Sequence, residues 1–227
     1  MSTDPLTILL VGHGSMPIPP VGWGAVESLI WEYSLQLKAM GHRVEILNIP
    51  DGKEIIEHLC KYSYDYVHFH DDILVNILEQ IPSSVKVVIT SHYPYIHDTS
   101  KWNDVLSGYD YGRFVMAPLI HYARRRRVHV CAVSQKDRDA FVSYGIPADS
   151  VSVCVNGVNV SKFNMELGPI QHPGKTICMA QIIGRKRQHL FRGYSDILCA
   201  GKINDAGSLP NPESWVGEWG DDKYEKL

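Results

Sequence analysis

No apolar run in this chain reaches the roughly 18 residues that read as a membrane-spanning helix. The first, Thr7–Val11, is too short even for the core of a signal peptide. Cysteine is sparse: Cys60, Cys131, Cys154, Cys178 and Cys199 are scattered and form no CxxC pair. That excludes a disulfide scaffold and a paired-cysteine zinc ribbon. An excess of positive charge is missing too. Against 22 Lys and Arg stand 25 Asp and Glu, a net charge of −3, so nothing global attracts nucleic acid or an anionic membrane. There is no complete GxxxxGK[ST] phosphate loop, because Pro169 stands where Gly174-Lys175-Thr176 would require the first glycine, and there is no GxSxG elbow, no internal repeat and no low-complexity tract.

What is present is a chain of 227 residues, 44% hydrophobic and 21% charged, ordinary for a folded domain. The length suits one large domain, or one domain and part of another. Cys131, Cys154 and Cys178 lie in apolar runs, which predicts buried thiols in a reducing compartment and a soluble, cytoplasmic protein.

Strand and helix patterns alternate. Thr7–Val11 is a short continuous apolar run, as in a strand covered on both faces. A Gly- and Pro-rich loop follows. Val26, Leu29, Ile30, Tyr33, Leu37 and Met40 then recur at helical spacing, and Gly41 supplies the left-handed stop. Arg43–Asn48, Tyr66–His70, Lys86–Ser91, Val128–Val133 and Val151–Val155 read as strands. Between them, Lys53–Tyr62, Ile73–Gln80, Pro118–Arg125 and Lys136–Tyr144 read as helices. Asp71 or Asp72 suits the cap of the second of these, and Ser134 the cap of the last. His92–Tyr111 reads as an irregular functional loop, and Asn156-Gly157 as a turn.

Such alternation predicts βαβ units in a doubly wound parallel sheet, a Rossmann-like α/β fold. The domain spans residues 1–168. After a Gly- and Pro-rich linker, Lys175–Ala180, a helix beginning at Gly184–Phe191, and Asp196–Ala200 predict a partial second α/β domain over 169–227.

Ligands of parallel sheets sit beyond the carboxyl ends of the strands. That places Gly12–Gly24, His70–Asp72, His92–Tyr95, Ser134 and Asn156–Gly157 on one rim. Gly22 and Gly24 let backbone N–H groups approach a phosphate or sugar at a helix N-terminus. The dinucleotide fingerprint fails, because Pro17 stands where Gly12 and Gly14 require a third glycine. His92, ending a strand, points toward substrate. His68, His70 and Asp72 have the types and spacing of metal ligands, set against packing and hydrogen bonding at a strand end. Arg124–Arg127 reads as a solvated face or a helix C-terminus, set against an anionic partner.

Several segments together resemble the GT-B glycosyltransferases of family 4. Ile8–Asn48 is similar to the family's opening strand, glycine loop, helix carrying Glu27 and GHxV strand. Asp65–Asp72 (DYVHFHDD) resembles its DxVHxH segment, Val88–Tyr93 (VITSHY) its VxTxH strand, and Cys131–Phe163 its AVS…NGVD…F stretch. Lys175–Phe191 resembles the start of the nucleotide-sugar domain.

The resemblance implies a retaining hexosyltransferase that moves a sugar from a nucleotide sugar to a glycan, lipid or other acceptor, with no metal cofactor. It implies His92 and Lys186 as catalytic, His92 on the transferred sugar and Lys186 neutralising the leaving diphosphate. Gly22, Gly24, Glu27, His70, Asp71, Asn156, Gly157, Gln181 and Arg185 are implied in donor or acceptor binding. Gln181 stands where the family carries a cation, with Arg185 or Arg187 as the substitute, and Asn159 replaces the Asp of NGVD. The family's ExFGxxxxE segment and final crossover helix are missing, so a partner chain completing the donor site belongs to the expectation. The competing readings are a non-catalytic nucleotide- or sugar-binding protein and a metal-dependent hydrolase built on His68, His70, Asp72 and His92.

Overall fold

A computed structural model describes residues 4–21, 24–93, 95–104, 109–160 and 172–219. The chain divides into two compact units, Met1–Pro20 with Gly24–Val158, and Val21–Trp23 with Asn159–Leu227.

The first unit is built on strands β1 (Thr7–Val11), β2 (Arg43–Leu47), β3 (Tyr66–Phe69), β4 (Lys86–Ser91), β7 (Val128–Ala132) and β8 (Val151–Val153). All pair parallel, in the order β2-β1-β3-β4-β7-β8. The order reverses direction at β1, so the carboxyl ends of β1 and β3 flank the crevice where doubly wound sheets take ligands.

Strand alternation sorts the core. Leu9, Val11, Val67, Phe69, Val87, Ile89 and Val130 face one side, against Ile55 and Leu59 of α2 (Gly52–Lys61), Leu119 and Ala123 of α3 (Ala117–Arg124) and Phe141 of α4 (Gln135–Ser143). Ile8 and Leu10 face the other side, against Ile30 of α1 (Ala25–Ala39). Each fully buried Leu, Ile or Phe contributes about 1.5–3 kcal/mol. Asp51 caps α2 by accepting from the Lys53 N–H at 2.7 Å, and Ser134 caps α4 through the Asp137 N–H at 3.1 Å. Gly41 takes the left-handed conformation, φ +92°, that ends α1. Met40, placed by its spacing on the buried stripe, is instead the exposed cap residue.

Elsewhere the structure corrects the expectation. The Ile73–Gln80 helix is a 3-10 helix, Asp72–Gln80. Its β-branched Ile73, Val75 and Ile77 favour an α-helix little, and the Asn76 amide takes the Ile73 carbonyl at 2.8 Å, competing with the helical ladder. Within His92–Tyr111 the short antiparallel pair β5 (Asn103–Asp104) and β6 (Tyr109–Asp110) forms. Helical structure then starts earlier than Pro118, as a π-helical turn Gly112–Met116 leading into α3. Pro118 has no N–H for the Phe114 carbonyl, and Asn76 supplies the donor at 2.8 Å instead.

Only Cys199 is buried. Cys154, just beyond edge strand β8, is exposed, and all five thiols are free. The Arg124–Arg127 run is spent on the protein itself. Arg124 donates to the Gly145 carbonyl, Arg125 meets His121, Arg126 pairs with Asp149 at 2.9 Å, and Arg127 donates to the carbonyls of Leu78 and Ile81. A cavity of about 260 Å³ beside Arg126 and Arg127 opens at the amino ends of β3, β4 and β7, the edge opposite the rim.

In the second unit, β9 (Thr176–Met179) and β10 (Ile197–Ala200) pair parallel around Ile182, Ile197 and Cys199. The helix expected after Gly184 is absent among the described residues. Two 3-10 turns, Gly184–Lys186 and Gln188–Phe191, stand in its place, broken by Arg187 in the left-handed region at φ +61°.

Candidate active site

The glycine loop after β1 is fastened by one side chain. Asn48, at the end of β2, accepts from the Gly14 N–H at 2.9 Å and donates to the Met16 carbonyl at 2.7 Å. At Gly12 an added Cβ would lie 2.5 Å from Asn48 Oδ1, so any larger residue there would displace the side chain that holds the loop. Gly24 caps α1 at φ +152°, where a Cβ would come within 2.8 Å of Pro20 and 3.0 Å of Glu27 Oε2. Glu27 is buried in the first turn of α1. Gly22 lies outside the described residues.

Beside the loop, His13 meets Asp71 at 3.5 Å, and Asp71 also caps the 3-10 helix by accepting from the Ile73 N–H. Burial raises the Asp71 carboxyl above the usual range.

Three imidazoles line up at the carboxyl ends of β3 and β4. His68 and His70 have ring centroids 4.1 Å apart, and His70 and His92 5.8 Å apart at 14° between planes. His92 Nε2 reaches His70 Nδ1 at 3.5 Å, and His68 Nε2 is bonded to Thr90 Oγ1 at 2.7 Å. The His70 ring also packs on Tyr33 of α1. Its Nε2 is buried and has no partner among the described residues, an atom suited to a water or a substrate hydroxyl. Burial lowers the basicity of all three, His68 to about 4. At neutral pH His92 is therefore an uncharged hydrogen-bonding group, suited to a sugar hydroxyl rather than to a diphosphate.

Asp72 does not join the histidines. Its Oδ2 accepts from the Ser91 hydroxyl and from the Tyr111 hydroxyl, the latter at 2.7 Å. Desolvation raises its carboxyl, opposed by those two bonds. His68 and Asp72 are thus turned to other partners. Among the described residues no group of three His, Cys, Asp or Glu converges as a metal site.

Asn156 and Gly157 continue from β8 as irregular backbone, and the expected turn does not form there. Gly157 has neither a positive φ nor a close neighbour to require glycine. In the second unit the backbone carbonyl of Gln181 accepts from Gln188 Nε2 at 2.8 Å. Arg185 and Lys186 are exposed on the Gly184–Lys186 turn, not at a helix N-terminus. Burial pushes the Cys178 thiol up, and the charge of nearby Lys186 opposes that shift without overcoming it.

Asn48, Ser91 and Tyr111 belong to the site without being evident in the sequence. Asn48 and Ser91 were open to the rim rule, as polar residues closing apolar strands; Tyr111 closes the His92–Tyr111 loop read as functional, eighteen residues past Tyr93, with nothing to single it out within that loop.

No curated protein matches the chain significantly. Solved structures do. AviGT4, a glycosyltransferase involved in avilamycin A biosynthesis, superposes with a TM-score of 0.64 at 15% identity, covering 98% of this chain and 67% of that one. HepE of Anabaena, in complex with UDP and glucose, gives 0.55 at 14%, covering 98% and 72%; its UDP-glucose complex gives 0.57 at 14%, covering 96% and 71%. These likenesses establish the fold, a GT-B-like parallel sheet. Residues 47–162, half of the chain, match Glycosyltransferase Family 4. That stretch holds the three histidines, Asp72, Ser91 and Tyr111, and by it the chain belongs to glycosyltransferase family 4.

Proposed function

We propose that this chain transfers a sugar from a nucleotide sugar to a carbohydrate or lipid acceptor, with retention at the anomeric carbon and no metal ion. The observation that carries the reading is the neutral His92–His70 pair at the switch-point end of the sheet. Uncharged imidazoles there bind sugar hydroxyls without competing for the phosphates. The charge that develops on a departing nucleoside diphosphate needs fixed cations, and Lys186 with Arg185 supplies them. The Gly12–Gly24 loop, Glu27, Asp71, Asn156, Gly157 and Gln181 complete donor and acceptor recognition. The complexes of HepE with UDP and UDP-glucose support a uridine nucleotide as the first donor to try.

The test is turnover of UDP-, GDP- and ADP-sugars, read as released nucleoside diphosphate with and without a chelator. One donor is turned over, unaffected by the chelator, and His92→Ala lowers the rate about 100-fold while leaving the nucleotide bound. Binding without turnover of any donor would favour a non-catalytic binding protein. Loss of turnover on chelation would favour the metal-dependent hydrolase.

A further inference from the structure

Resting on the reading that His92 meets the transferred sugar, we propose that Asp72, Ser91 and Tyr111 form a buried tripod of positioning residues that fixes the His92 ring. Ser91 and Tyr111 are fully buried and Asp72 is 9% exposed. Both hydroxyls converge on one carboxylate oxygen, and they lie 3.2 Å from each other. Ser91 Oγ also accepts from the Tyr93 N–H at 3.3 Å. The network therefore grips the backbone on both sides of His92, at residues 91 and 93.

The grip extends into the loop. The Tyr111 ring stacks on Tyr93 with centroids 4.0 Å apart and meets Trp102 edge-on at 5.6 Å. One carboxylate thus ties the start of the Asp72–Gln80 helix, the end of β4 and the return of the 93–111 segment. A buried carboxylate is a poor way to gain stability, since its desolvation consumes most of what its bonds return, and apolar side chains would fill the space at lower cost. What such a group supplies is a single geometry. Here that geometry is set at the residue next to His92, whose side chain lies on the opposite face of the strand with His70.

The test uses the full chain with Tyr111→Phe, which removes only a hydroxyl, and Ser91→Ala as an independent second variant. Turnover is measured alongside the ring ¹⁵N signals of His92, assigned by their loss in His92→Gln. The expected result is a kcat about 10- to 100-fold lower at unchanged KM for the sugar nucleotide, with the His92 signals displaced and the exposed His13 signals in place. His92 signals unmoved in both folded variants would overturn the proposal, as would parental kcat in both. His92→Ala with parental turnover would instead overturn the reading of His92, and the ring signals would then decide the tripod alone.

Discussion

His92 Nε2 and His70 Nδ1 face each other at 3.5 Å between nearly parallel rings, so one imidazole donates and the other accepts. Whichever tautomer holds, the proton on His92 is set by His70, and His70 Nε2 is left for a further group. His70→Phe keeps the packing against Tyr33 and removes both nitrogens. It is expected to lower turnover about tenfold, by one lost hydrogen bond, with nucleoside diphosphate affinity unchanged. Steady-state kinetics with parallel calorimetry checks the split.

The same histidines set a pH dependence of stability. An unfolded His titrates near 6.5, whereas His68 in the folded chain titrates near 4, and His70 and His92 are shifted the same way. Between those values the unfolded state binds more protons, so stability is full above about 6.5 and falls as pH drops toward 4. For His68 alone this is at most about 3 kcal/mol, because the residue keeps some exposure. Asp71 and Asp72 are raised by burial, so their protonation favours the folded state and flattens the curve at its acid end. Tm measured from pH 7.5 to 4.5 is expected to fall, and His68→Gln to reduce the slope.

The glycine loop gives a prediction independent of chemistry. Gly24→Ala puts a Cβ where Pro20 and Glu27 already stand, at a φ that side chains rarely adopt. Asn48→Ala removes both ties to Gly14 and Met16. Each is expected to cost about 1–3 kcal/mol, read as a lowered urea midpoint at constant m-value.

Much of this was legible in the residues. Thr7–Val11 announces a buried strand by its continuous apolar run, the alternation of such strands as Tyr66–His70 and Lys86–Ser91 with helical patterns announces a parallel sheet, and the rim rule then reaches His70, Asp71 and His92 directly. Spacing did not reveal where Asp72 turns. In DYVHFHDD it looks like a ligand beside two histidines, yet the strand end carries it toward Ser91 and Tyr111, and that pairing depends on a loop returning through residues distant in sequence. The helix expected after Gly184 failed for a local reason, the left-handed Arg187, which no apolar period reports.

The central claim is that this chain handles a sugar nucleotide with neutral histidines on the sugar and cations on the diphosphate. Calorimetry of UDP, GDP and ADP binding to the parent and to Lys186→Ala tests it most directly. A charge-assisted contact is worth about 1.5–3 kcal/mol, so one of the three nucleotides is expected to bind the parent about 10- to 100-fold more tightly than the variant. Equal affinity in both proteins, or no binding of any of the three, would contradict the account.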